Sequence, residues 1–479
     1  MIKNDRQYRM TKAHVRTFAD AIEGMRSAPV PEGADPTIRD VQRRALQSQV
    51  EELSSELKEY EALRAGNVTS FEAASLSDLP LLLVKARIAR GQTQRELAER
   101  LNVKEQQVQR WEGNEFHGAS LDTLRAVADA LGVALRQEMF IPSARVTPKD
   151  FLLSLEKLGL SSEFVLKRIV PSPVASLFRD EVAGLKEIVS AAGGLGRVFG
   201  IQVSDLVEMK AQKMSVSAVA VTRFKLPARA KRAAVDAYTV YAHYLSALLA
   251  DCVEVETVRS PPASYHDFHL AVTAPGSPMS FEAVVRLLWD CGTIVLPLHD
   301  AGGFHGAVWK IKGRFVIVLK QTTQLESRWL YDALHEWGHI ENGDVTEDIA
   351  HVEEQEISPE NSGKQEEAAN EWAENALFDG RSEEIEATCT AACNNRLQKL
   401  KIVLPKVAKD FNVNVGSLAN HMAYRLAEQG ENWWGAAKNL QHGGRPPFTV
   451  ARKLLLEHVN LTRLSPFDRE LLERALEEK

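Results

Sequence analysis

Four cysteines in 479 residues (Cys252, Cys291, Cys389, Cys393) are too few to staple a secreted scaffold. No apolar run reaches the roughly 18 to 20 residues that a membrane helix needs. The first stretch, MIKNDRQYRMTKAHVRTFADAIEG, lacks the apolar centre and small-residue cleavage site of a secretory signal. These absences lead us to expect a cytoplasmic chain with no membrane partner. Internal repeats and low-complexity tracts are absent too, which argues against solenoids and disordered arrays. A net charge of −7 excludes a general basic coat. It leaves room for a local basic face, because counterion release depends on the charges at the contact and not on their sum.

Composition is otherwise that of an ordinary globular protein, 44% hydrophobic and 26% charged. The length implies two to four units. Pattern and punctuation divide the chain into a helical arm at 1–70, a helical domain at 77–136, a helical linking region at 145–255, a mixed core at 275–380, a trailing helical domain at 385–440 and a helical tail at 441–479. RSPPASYHDFHLAVTAPGSP reads as the loop-rich boundary before the mixed core. In the arm, Leu46, Val50, Leu53, Leu57 and Tyr60 step by 4, 3, 4 and 3, a short heptad seam. It suits either a homodimer or packing on its own domain. Between Lys85 and Glu112, seven basic residues (Lys85, Arg87, Arg90, Arg95, Arg100, Lys104, Arg110) face four acidic ones (Glu96, Glu99, Glu105, Glu112). The 344–371 segment is strongly acidic instead, and could guard the neighbouring site.

GQTQRELAERLNVKEQQVQRWE has the layout of two helices about a tight turn. Thr93 can cap a helix from Gln94 to Arg100 with Leu97, Ala98 and Leu101 inward, and LNV supplies the turn. The next helix, Glu105 to Trp111, turns Val108 and Trp111 inward and Gln106, Gln107, Gln109 and Arg110 outward. Glutamine and arginine suit paired hydrogen bonds to adenine and guanine edges. From Leu83 to Val133 the chain resembles the Cro-like phage-repressor (XRE) family, at Arg87, Gly91, Thr93, Gln94, Leu97, Ala98, Val108, Trp111 and Glu112 and in the closing SLDTLRAVADALGV. The resemblance implies an all-α helix-turn-helix domain and an operator DNA partner. Gln94 would touch phosphate, and Gln106, Gln107 and Arg110 would face bases.

LHEWGH places His335 and His339 four residues apart, on one face of a helix, with Glu336 a further 100° round. That spacing offers two ligands to one ion and a carboxylate base beside a water. Leu330, Leu334 and Ile340 mark the helix as buried. GTIVLPL and RFVIVLKQ read as strands before it, flanking GGFHGAVWKI. A third ligand is available in QEEAANEWAENALF. Glu366 shares the inward face of Ala369, Ala373 and Leu377, whereas Glu367 shares a solvated stripe with Glu371 and Glu374, so Glu366 is the first choice and Glu367 the second. SRWLYDALHEWGH, followed 27 residues after His339 by EEAANEWA, resembles the ImmA/IrrE metallopeptidases over about Phe281 to Phe378. The LFDG that closes the second helix departs from that pattern.

This resemblance implies a multidomain, mainly α chain with an α+β zincin-like core, Zn²⁺ as cofactor, Glu336 as catalytic base and His335, His339 and Glu366 as ligands. It also implies a regulatory protein as substrate and a role in transcription regulation or stress response. The other reading is a repressor or antitoxin-like DNA-binding protein whose peptidase fold only senses or scaffolds. His305 and Gly306 are candidate substrate contacts, in a Gly303–Trp309 edge that could pair with an extended peptide. His299 or His305 could stabilise an oxyanion. His266 and His269 read as loop histidines, Tyr331 as packing, and Cys389 and Cys393 as core thiols.

Overall fold

The computed structural model describes residues 1–27, 36–66, 71, 78–135, 146–210, 237–253, 259–300, 305–345, 351–352, 363–394, 396–441 and 445–477. They fall into two units, Met1–Ile141 with Thr462–Ser465, and Pro142–Leu461 with Pro466–Lys479. No helix among the described residues is long and apolar enough to cross a membrane.

The first unit is all helical: α1 (Asp5–Ser27), α2 (Pro36–Arg64), α3 (Leu79–Ala89), α4 (Gln94–Leu101), α5 (Glu105–Gly113) and α6 (Leu121–Leu131). Its core joins Leu83, Val84, Leu97, Ala98, Val108, Val127 and Leu131 to Ile2, Leu57, Tyr60 and Leu63. The arm read as separate is therefore part of the same core. The end of its seam packs inside the chain, where Leu57 and Tyr60 are buried while Leu46, Val50 and Leu53 are half-buried; the Tyr60 ring stacks on Tyr8 at 5.3 Å, and its hydroxyl donates to Asp5 at 2.9 Å.

The second unit begins with α7 (Pro148–Lys157), α8 (Ser162–Phe164, running into a π-turn at Val165–Ile169), α9 (Ser172–Arg179), α10 (Leu185–Phe199), α11 (Val203–Val207) and α12 (Ala237–Cys252). Next come α13 (Tyr265–Val272), α14 (Phe281–Asp290) and the strands β1 (Ile294–Leu298), β2 (Gly306–Ile311) and β3 (Arg314–Lys320). The order in the sheet is β1-β3-β2-β4, where β4 is only His351–Val352. β1 runs parallel to β3, and β2 and β3 form a hairpin closed by Lys312 and Gly313, both at positive φ. That is the backbone a two-residue hairpin turn requires. The chain continues through α15 (Glu326–Glu341), α16 (Lys364–Phe378), α17 (Ser382–Cys393), α18 (Leu397–Asp410), α19 (Val415–Glu428), α20 (Trp434–Lys438), α21 (Pro447–His458) and α22 (Pro466–Ala475).

Side chains alternate across a strand, so the two faces of this sheet take different partners. α15 lies on the Gly306 face. α12 covers the other: the His243 ring stands edge-on to Trp309 at 5.3 Å, and Lys320 Nζ lies 4.3 Å from the Tyr238 ring centre. The segment 145–255 is thus no linker; its last helix is a layer of the same unit. RSPPASYHDFHLAVTAPGSP is also no boundary. Ser264 caps α13, whose Phe268 is fully buried between Trp337 and Trp372, at 5.9 and 5.2 Å. His269, read as a loop residue, is buried there and bonds the Ala376 carbonyl through Nδ1 at 2.8 Å.

Candidate metal centre and nucleic-acid interface

α15 is buried along nearly its whole length, because it is pressed between the sheet and α16. Gly338 allows the close approach to α16. A Cβ there would come within 3.0 Å of the Ala369 carbonyl oxygen and 3.2 Å of its Cα. With the helices this near, Glu366 Oε2 reaches 3.2 Å from His335 Nε2, and its Oε1 lies 3.6 Å from His339 Nε2. The two Nε2 atoms are 3.2 Å apart. Two bonds of about 2.0–2.1 Å meeting at a tetrahedral angle hold their donors about 3.3 Å apart, so two imidazoles and a carboxylate at this spacing fit a zinc ligand set. Glu367 is exposed. Tyr331 bridges the helices, its hydroxyl donating to Asn370 Oδ1 at 2.6 Å.

His339 Nδ1 donates to Asp344 Oδ2 at 2.9 Å, across the turn made by Gly343 at φ +72°. This bond fixes the tautomer and leaves the Nε2 lone pair for the centre. Asp344 escaped the sequence reading; its one signal is a carboxylate just beyond a helix-ending glycine. Glu336 is 1% exposed and lies against the start of β2. A Cβ on Gly306 would sit 2.9 Å from the Glu336 Cδ, so a larger residue there would displace that carboxylate. Gly306, a candidate substrate contact, thus touches the candidate base. The free edge of β2 expected for an added strand is paired with β4 at Ala307 and Val308. Gly303 and most of the 344–371 acidic segment lie outside the described residues.

His299 packs on Phe448 at 5.6 Å, and His305 Nδ1 lies 3.1 Å from Gln321 Nε2. A second cluster, Glu374, Glu386 and His421, offers ligand-type atoms to one another. Arg425 Nε already donates to Glu386 Oε1 at 2.9 Å, so a cation there would meet a resident positive charge. Cys389 is buried and its thiol is pushed up to about 11 by burial, the behaviour of a core thiol.

In the first unit, Thr93 and Glu96 form a reciprocal cap on α4, and Asn102 ends the helix at φ 54° in the left-handed region. Val108 of α5 is fully buried. Gln106, Gln109 and Arg110 are exposed and Gln107 half-buried, on the outer side. Gln109 is tied to Glu105 at 2.9 Å and Arg110 to Gln107 at 3.1 Å. Gln94 opens α4, directly after the Thr93 cap. Its amide is buried and donates to Glu112 Oε2 at 2.8 Å, while Glu112 also takes Arg87 at 2.5 and 2.8 Å. A buried carboxylate needs those donors, and the Gln94 amide is one of them.

Residues 83–137 match the helix-turn-helix family. This segment is a helix-turn-helix. The match supports DNA binding by the first unit. No curated protein and no solved structure matches the chain.

Proposed function

We propose that the chain is a DNA-binding regulator with a zinc-dependent endopeptidase unit that cleaves a transcriptional repressor or another regulatory protein in response to a signal. The observation that carries the reading is the approach of His335, His339 and Glu366 to within 3.2–3.6 Å, with Glu336 outside that set and against the strand that begins at Gly306. The resemblance to the ImmA/IrrE metallopeptidases supports it. His335, His339 and Glu366 would hold the zinc ion, which would supply Lewis acidity to a water and a carbonyl.

The remaining work belongs to the chain. Asp344 orients His339. Glu336 accepts the proton of the attacking water as the water oxygen bonds to the carbonyl carbon, then delivers it to the departing amine as the C–N bond breaks. At the other unit, Gln106, Gln107, Gln109 and Arg110 would meet the operator.

The test compares newly created protein termini in host cells expressing wild type or Glu336→Gln. Termini present only with wild type establish the peptidase and name its target. Identical termini, in stressed and unstressed cells, would leave a DNA-binding regulator whose second unit senses or scaffolds.

A further inference from the structure

The start of β2 carries a polar chain that the steps above do not use. Gln321 Nε2 lies 2.6 Å from Asp332 Oδ2 and 3.1 Å from His305 Nδ1. A carboxylate oxygen accepts only, so the amide atom beside Asp332 must be the nitrogen. That nitrogen has two hydrogens, one for Asp332 and one for His305. His305 Nδ1 therefore accepts, and the ring proton of the neutral imidazole resides on Nε2. The framework around this chain is tied at both ends. Arg328 Nε lies 3.2 Å from Asp332 Oδ1, and the Lys320 amide donates to the His305 carbonyl at 2.8 Å. Burial, aided by Arg328, lowers the His305 pKa, which keeps the ring neutral.

The position suits a role at the centre. His305 directly precedes Gly306, the residue against which Glu336 lies. Asp332 stands one helical turn before Glu336 on α15, so the Asp332 end of the network shares the Glu336 face of that helix.

We propose that His305, held as the Nε2–H tautomer by Gln321 and Asp332, donates a hydrogen bond to the carbonyl oxygen of the peptide bond being cleaved. As the water oxygen bonds to carbon, the carbonyl π pair moves onto that oxygen and the N–H stabilises the charge; His305 transfers no proton. His305 is then a catalytic residue, and Gln321 and Asp332 are positioning residues. The inference rests on the peptidase reading.

The experiment uses the full chain, zinc-loaded and ¹⁵N-labelled at histidine. The His305 ring resonances are assigned by their loss in His305→Gln, and the ring tautomer is read from long-range proton–nitrogen correlations. Wild type should show the Nε2–H form. Gln321→Glu presents an acceptor to Nδ1 and should move the proton there, while Gln321→Leu removes the amide donor without adding charge. In cells, the rate at which Glu336-dependent termini appear should fall roughly a hundredfold in His305→Ala and in Gln321→Glu, with zinc content unchanged. His305→Gln, which keeps an N–H donor near the Nε2 position, should recover part of the rate. A wild-type ring protonated on Nδ1 overturns the proposal whatever cleavage shows. Normal cleavage by His305→Ala, beside an inactive Glu336→Gln, overturns it while sparing the peptidase. Absence of any Glu336-dependent cleavage removes the peptidase reading, and the donor role with it, while the tautomer stands as measured.

Discussion

Asp344 and Gly306 are residues through which the centre can be probed without substituting a candidate ligand or the candidate base. Asp344→Ala leaves His339 free to turn and to change tautomer, so zinc affinity should fall roughly tenfold to a hundredfold, read by competition with a chromophoric chelator. Unchanged affinity would mean that the hydrogen bond at 2.9 Å has no part in ligand orientation. Gly306→Ala should act differently. Its methyl meets the Glu336 carboxylate, so zinc content should stay at the wild-type level while Glu336-dependent cleavage is lost. Equal losses of both would show that the strand start supports the fold more than the base. That Glu366 and not Glu367 turns toward the histidines was legible in the sequence, because helical periodicity separates an apolar face from a charged one. Asp344 and Gln321 were not, since each reaches its partner through a chain reversal or a strand register.

At the scale of elements, the pair α15 and α16 is decided by Gly338 and Ala369. Gly338→Val should push the helices apart and draw Glu366 away from the histidines. Zinc stoichiometry should drop while the helix-turn-helix unit still binds DNA. A variant that keeps full zinc content would show that the helices can re-pack around the added volume. Most elements near this pair were readable, because β-branched apolar runs and helical spacing are local signals. α13 was missed. The prolines, serines and glycine on either side of it read as a loop, yet Ser264 caps a helix there and the burial of Phe268 between two tryptophans secures it. Tertiary packing overrode turn composition.

For the molecule as a whole, the sheet's second cover brings a pH dependence. His243 lies edge-on to Trp309 between α12 and β2, and burial pushes its pKa down to about 4. The unfolded chain, with a histidine pKa near its ordinary value of about 6.5, binds more protons in between. Stability is therefore complete above about pH 6.5 and is lost as pH falls toward 4, by up to roughly 3 kcal/mol from this group. His243→Phe should shrink the difference in denaturation midpoint between pH 7.5 and 4.5. Tryptophan fluorescence suits the measurement, since Trp111 alone of the tryptophans lies in the first unit. An undiminished difference would assign the loss to other groups.

The sequence carries its signals over a helix or two of the chain. It held the helix-turn-helix with its Thr93 cap, the HEWGH face, the strands on either side of GGFHGAVWKI and the inward turn of Glu366. Each rests on periodicity, capping or spacing, which act over a few residues. Packing between distant segments brought the arm into the core of the first unit, made the last helix of 145–255 a layer of the second, turned Gln94 to Glu112, and tied His305 through Gln321 to Asp332. Those outcomes depend on which buried polar groups must find partners and which apolar faces must be covered. Both are settled between segments far apart in the chain, where local pattern carries no record of them.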